Sequence, residues 1–252
     1  MAEYDAFGTQ LKTGTAQVET AVVVVTSVTA GDANFILTAD GMTGSPITTA
    51  VTLAESDSAD AVATKAAAAM NLDANITALF SVVADGPNIV ITRKIAAAND
   101  ATLNLAYADD TSGGLTDDAT SNDTTAGTAL TAIAQVRNIS GPALALDTED
   151  VTTHDSTGAW EEVVGTILRT GEMTLEIVYD PVANTHDGTD AGGLVSRLKN
   201  KTLTDFSLVF SDAASTTWSF DGYVTGFEPG APHEGSLTAS VSVKISGVPT
   251  LV

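Results

Sequence analysis

Residues 237–246 alternate without a break: Leu237, Ala239, Val241, Val243 and Ile245 are apolar, and Thr238, Ser240, Ser242, Lys244 and Ser246 are polar. A period of two is the geometry of a strand, because successive side chains leave on opposite faces. It also means that one face is buried and the other wet, the usual state of an antiparallel sheet. Met173, Leu175, Ile177 and Tyr179 alternate with Thr174, Glu176 and Val178, and Phe206, Leu208 and Phe210 with Ser207 and Val209. Residues 218–227 and 130–138 are further strand candidates. One helix is expected here, with Asp190 as its cap, an apolar stripe of Leu194, Val195 and Leu198, and Arg197, Lys199 and Lys201 at the end where cations suit the helix dipole. These patterns predict a mainly β fold, a sandwich or half-barrel covered by a single helix. Alternation alone marks only a half-buried sheet, so a lone globular sandwich with an ordinary wet face satisfies it equally.

Composition divides the 252 residues in two. The stretch from about 20 to 125 is rich in Ala, Thr, Asp and Val, and both tryptophans, Trp160 and Trp218, follow it. Small polar runs flank it, which reads as linker. Residues 21–125 are therefore expected to be an α+β domain inserted into a β domain made of 1–20 and 126–252. Within the insert, 22–28, 35–39 and 48–53 read as strands by β-branched content. Ser58 then caps a helix over 58–71, with Asp57 and Asp60 at its positive end. Residues 81–84 and 89–93 flank Asp85-Gly86, a hairpin signal, and 103–107 is a last strand. One helix on one sheet is the expected arrangement.

The charge limits what the chain can do. With 32 acidic and 10 basic side chains it carries −22, which opposes a grip on phosphate backbones. No cysteine is present, so neither a disulfide framework nor a thiolate zinc site can form. The first ten residues carry Glu3 and Asp5 and no apolar run, unlike a secretory signal, and the aliphatic run 21–25 is too short to span a bilayer. A soluble intracellular product is expected. No cofactor, metal site or catalytic residue is expected either. Glu149/Asp150 and Glu161/Glu162 could supply the two carboxylates of a glycosidase, but adjacent acids are common in so acidic a chain. His154 and Asp155, adjacent on an extended chain, point to opposite sides. The runs 109–114 and 187–190 resemble calcium loops without the EF-hand spacing and read as turns. One segment, 147–170, fits no period. It holds Asp147, Glu149, Asp150, His154, Asp155, Glu161 and Glu162 around Trp160, and is expected to be a long loop that meets a partner.

An ordered succession of short strings carries a resemblance. Phe7-Gly8-Thr9-Gln10-Leu11-Lys12 opens it. Val136-Arg137-Asn138-Ile139-Ser140-Gly141-Pro142 follows, then Asp150-Val151-Thr152-Thr153-His154-Asp155-Ser156-Thr157-Gly158-Ala159-Trp160. Next come Gly171-Glu172, Tyr179-Asp180-Pro181, the run from Trp218 to Pro229, and the terminal alternating strand. Over about 1–20 and 126–252 the chain resembles the major tail tube protein of long, flexible, non-contractile phage tails. That resemblance implies two packed antiparallel sheets flanked by one helix. It implies hexameric rings stacked into a virion tube, made in the host cytoplasm, with the subunits' inner sheets joined edge to edge around the channel. It implies as partners further copies of the chain, a tape-measure protein, tail-tip and terminator proteins, and double-stranded DNA that passes without specific binding. On this reading Thr174, Glu176, Thr238, Ser240, Ser242 and Lys244 line the lumen, and the 147–170 segment reaches a neighbouring subunit or ring with Trp160 as its anchor. The insert lies outside, where a host surface is a candidate partner. The rival reading is a monomeric two-domain module that binds carbohydrate or a cell surface; such a binder usually needs exposed aromatics, and this chain is 5% aromatic.

Overall fold

The computed structural model describes residues 7–116, 118 and 120–251. It divides into two compact units, one formed by the described residues up to Thr13 with Ala132–Leu251, the other by Gly14–Thr131. Strand β1 (Gln10–Thr15) comes first among the described residues. The second unit continues with β2 (Val18–Val22), β3 (Val25–Thr29), β4 (Gly31–Thr38), β5 (Ile47–Leu53), α1 (Ala59–Met70), α2 (Ala74–Leu79), β6 (Phe80–Asp85), β7 (Asn88–Arg93), β8 (Asn104–Asp109), β9 (Gly113–Leu115) and β10 (Asn122–Thr125). There follow β11 (Thr128–Ala132), β12 (Val136–Ser140), β13 (Leu144–Asp150), β14 (Val163–Thr170), β15 (Glu172–Val178), α3 (Leu194–Asn200), β16 (Thr204–Val209), β17 (Thr217–Gly230) and β18 (Thr238–Leu251).

The inserted unit is wider than 21–125 because β2 pairs with β7 and β10, which places residues 18–22 in its sheet. It holds a four-stranded sheet (β10-β2-β7-β6), a three-stranded sheet (β5-β4-β8) and the short pair β3-β9, in place of the one sheet expected. Helix α1 starts where expected, with the Ser58 hydroxyl accepting from the Ala61 N–H at 3.2 Å. It buries Val62, Ala63, Ala66, Ala67 and Met70, and the small side chains let it lie close to the strands. Two features depart from the sequence reading. The strand expected over 22–28 breaks, because the Val23 N–H donates to the Pro87 carbonyl and the Val24 N–H to the Tyr107 hydroxyl. A second helix, α2, follows α1, with Asp73 capping the N–H groups of Asn75 and Ile76. Gly114 is required where β9 passes β3: its φ is +92°, and a Cβ would fall 2.0 Å from the Ser27 carbonyl oxygen.

A seven-stranded sheet follows the order β11-β1-β16-β17-β18-β15-β12, and its strands β16, β17, β18, β15 and β12 belong to the other unit. The fold is mainly β and antiparallel, as expected. The two packed sheets prove to be halves of one continuous sheet. β17 and β18 are each 14 residues long, and register shifts at Ser219/Asp221 and Val224/Gly226 let them bend and serve both halves. Both halves share one core that includes Leu11, Met173, Leu175, Ile177, Phe206, Phe220, Val241 and Val243. Burying each such side chain contributes about 1.5–3 kcal/mol. Residues 136–139 of the end strand β12 line the same groove as Leu208 of β16 and Phe210 just after it. Helix α3 adds Leu194 to the core. Its N-cap is Gly193, not Asp190; the Asp187 carboxylate takes the N–H groups of Thr189 and Asp190 and turns the chain there first. Among the described residues no helix is long and apolar enough to cross a membrane.

Candidate functional site: a polar sheet face and an exposed hairpin

The register of β15 against β18 sets the first surface. Met173, Leu175 and Ile177 face Val243, Val241 and Ala239, all buried. The intervening pairs, Glu172 with Lys244, Thr174 with Ser242, Glu176 with Ser240 and Val178 with Thr238, therefore share the opposite face. All six residues proposed from sequence as lumen-facing stand here: Thr174, Glu176, Ser240 and Lys244 are exposed, Thr238 and Ser242 half-buried. Lys244 stands opposite Glu172 on one side and Tyr223 on the other. The ledge continues onto β12, where Asn138 and Ser140 face Glu176 and Thr174, and onto β17, where Glu228 faces Ser240.

Sequence reasoning missed a second feature, a pair of acids. Asp205 of β16 lies directly opposite Asp221 of β17, beside the hydrogen-bonded Ser207 and Ser219 hydroxyls. Burial by the flanking strands raises the Asp221 carboxyl, and a hydrogen bond and like charge from Asp205 raise it further, to about 6. The alternation running through 218–227 held the signal, since Asp221 occupies a polar position in it.

The segment expected to be a loop, 147–170, is mostly a hairpin. β13 pairs with β14 from Leu144 opposite Thr170 to Asp150 opposite Val163. Only these two strands form the sheet. Asp147 meets Arg169 at 2.6 Å. Glu149 and Asp150 are exposed near the tip; the Asp150 carboxyl is held below its ordinary value by its hydrogen bonds with Thr152. His154 and Asp155 occupy a turn closed by Ser156 and Thr153, so they form no base and orienter pair. Trp160 is 78% exposed, followed by exposed Glu161 and Glu162. Leu144, Leu146, Val163, Val164, Ile167 and Leu168 are exposed as well. The hairpin had no period because neither of its faces is buried. The first acid of each calcium-like run is used within its own turn: Asp109 accepts from Ser112 and Leu115, and Asp187 from Thr189 and Asp190. No group of three or more His, Asp or Glu suited to a metal occurs among the described residues.

An antiparallel sheet with one polar face, unpaired edge strands and an exposed apolar hairpin has surfaces that a partner chain can cover. Residues 115–252 match the family model described as lambda phage tail tube protein, TTP, and the chain belongs to that family. It is thus a structural component of a virion's tail tube. No curated protein sequence matches the chain. Among solved structures, a chain from the tail of an empty gene transfer agent particle with C6 symmetry is similar at 17% identity and a TM-score of 0.41, covering 49% of this chain and 86% of that one. A chain of the native gene transfer agent virion is similar at 17% and 0.40, covering 49% and 88%. A chain of the anti-feeding prophage baseplate is similar at 11% and 0.36, covering 51% and 85%. Family membership rests on the match over 115–252, not on these likenesses.

Proposed function

We propose that the chain polymerises as hexameric rings stacked into the tube through which phage DNA leaves the particle. The observation that carries this is the register of β15 against β18, which gathers Thr174, Glu176, Ser240 and Ser242 on one face while the other face is core. Side-by-side joining of sheets would cover the open edges at β11 and β12, and a closed ring stops lateral growth. With this face inward, short hydroxyl groups offer a phosphate few strong contacts, and Glu172, Glu176 and Glu228 repel it, so DNA slides without sticking. Lys244, set opposite Glu172, fits that surface better than its charge alone suggests.

The same reading gives the hairpin residues Asp147 to Glu162 a contact with a neighbouring subunit or ring, anchored by Trp160. It puts the insert on the tube exterior, within reach of a host surface. The tape-measure protein would occupy the channel before DNA, with terminator and tip proteins at the ends. The role is structural and needs no catalysis. Negative-stain microscopy and sedimentation of the purified chain test it. Tubes or rings are expected, alone or on addition of a tail initiator; a chain that stays monomeric with its initiator present contradicts the reading and favours the monomeric binding module.

A further inference from the structure

We propose that the groove between the segment before β1 and the end strand β12 is the socket for Trp160 of a second copy of the chain. This rests on the hairpin contact proposed above and adds its receptor. The groove holds about 640 Å³, a volume that suits a ligand-sized group. Its apolar lining is formed by Phe7, Val136, Ile139, Leu208 and Phe210. Phe7 is 88% exposed and Phe210 37%, so aromatic surface is displayed at its rim. β12 ends the sheet order, which leaves a strand edge beside the groove for a partner's backbone.

Charge selects the occupant. The chain carries −22, so most of its surface repels another copy. Arg137 lines the groove, is exposed, and makes no ion pair or side-chain hydrogen bond among the described residues. The groove's acid, Asp212, stays ionised but turns one carboxylate oxygen to the Thr216 N–H and the other to its hydroxyl, leaving Arg137 without a carboxylate partner among the described residues. The hairpin tip is the complement, an indole 78% exposed between Asp155 and the pair Glu161 and Glu162. An indole seated on Phe210 with Arg137 over its face or on its acidic neighbours satisfies both halves. In a homopolymer every tip has a groove to meet.

The chain has no cysteine, which gives a clean test. Trp160→Cys chains and Ser211→Cys chains, Ser211 being an exposed groove residue, are assembled together with wild-type chain and oxidised. The expected result is a disulfide-linked dimer in tubes, absent from unassembled chain and from either variant assembled with wild type alone. Trp160 is followed separately through its emission in a Trp218→Phe chain, or by 5-fluorotryptophan labelling of the wild type if that variant folds poorly. A Trp160 that becomes buried on assembly without the dimer overturns the socket and leaves the hairpin contact standing. A Trp160 that stays wet in formed tubes overturns both. Trp160→Ala and Phe210→Ala should also be non-additive in the critical concentration for assembly; additive losses count against a shared contact.

Discussion

Asp221 carries a penalty that depends on pH. Its folded value of about 6 lies above the ordinary 3.8, so the neutral form is favoured by folding. The stability this contributes is complete below about pH 4 and is lost as pH rises through 6. Because the carboxyl is only partly withdrawn from water, solvent screening keeps the effect small. Asp221→Asn should therefore melt above the wild type at pH 7.5, with the gap closing toward pH 4; thermal unfolding across that range reads it. Trp160 makes the opposite case, a residue neutral in the monomer and costly in the assembly. Trp160→Ala should leave monomer unfolding within about 0.5 kcal/mol. Loss of an interface anchor costs about 2 kcal/mol, roughly thirtyfold in critical concentration, and sedimentation of tubes at graded concentrations measures it. Normal tubes from this variant contradict its role as anchor.

The elements differ in how openly the sequence declares them. β18 and β15 were legible because one face is core and the other water, so every second residue had to be apolar. Six lumen candidates landed on one face for the same reason. The β13–β14 hairpin was illegible because exposure on both sides erases any period, and only its acids and Trp160 marked it. α2 has six residues, too few for a helical stripe to show. The N-terminus of α3 was misplaced because the acids before it cap a turn. An isolated two-stranded hairpin is marginal in water. The amides of Leu144–Asp150 and Val163–Thr170 should thus exchange rapidly in monomer and slow at least tenfold in tubes. Hydrogen exchange before and after assembly decides this; equal protection in both states would mean the hairpin needs no partner. By contrast α1 is held by its own cap and core, and Ser58→Ala should cost the inserted unit about 1 kcal/mol, measurable by denaturant unfolding.

At the scale of the whole molecule, like-charged subunits have to stack. A chain of −22 should polymerise slowly near 0.01 M salt and faster near 0.3 M, where screening shortens to several ångströms. Light scattering across that series gives the direction. Gly14–Thr131 has its own core, built on residues such as Phe35, Phe80 and Ile91. Replacing residues 18–125 by a short Gly-Ser bridge, which keeps β1 and β11, should leave tubes that still assemble, with a thinner outer wall. The most direct measurement is a cryo-microscopy reconstruction of the assembled particle. The account predicts sixfold rings with Thr174, Glu176, Ser240 and Ser242 facing the channel. Those four side chains on the outer wall, or a chain found solitary or in the head shell, would contradict it.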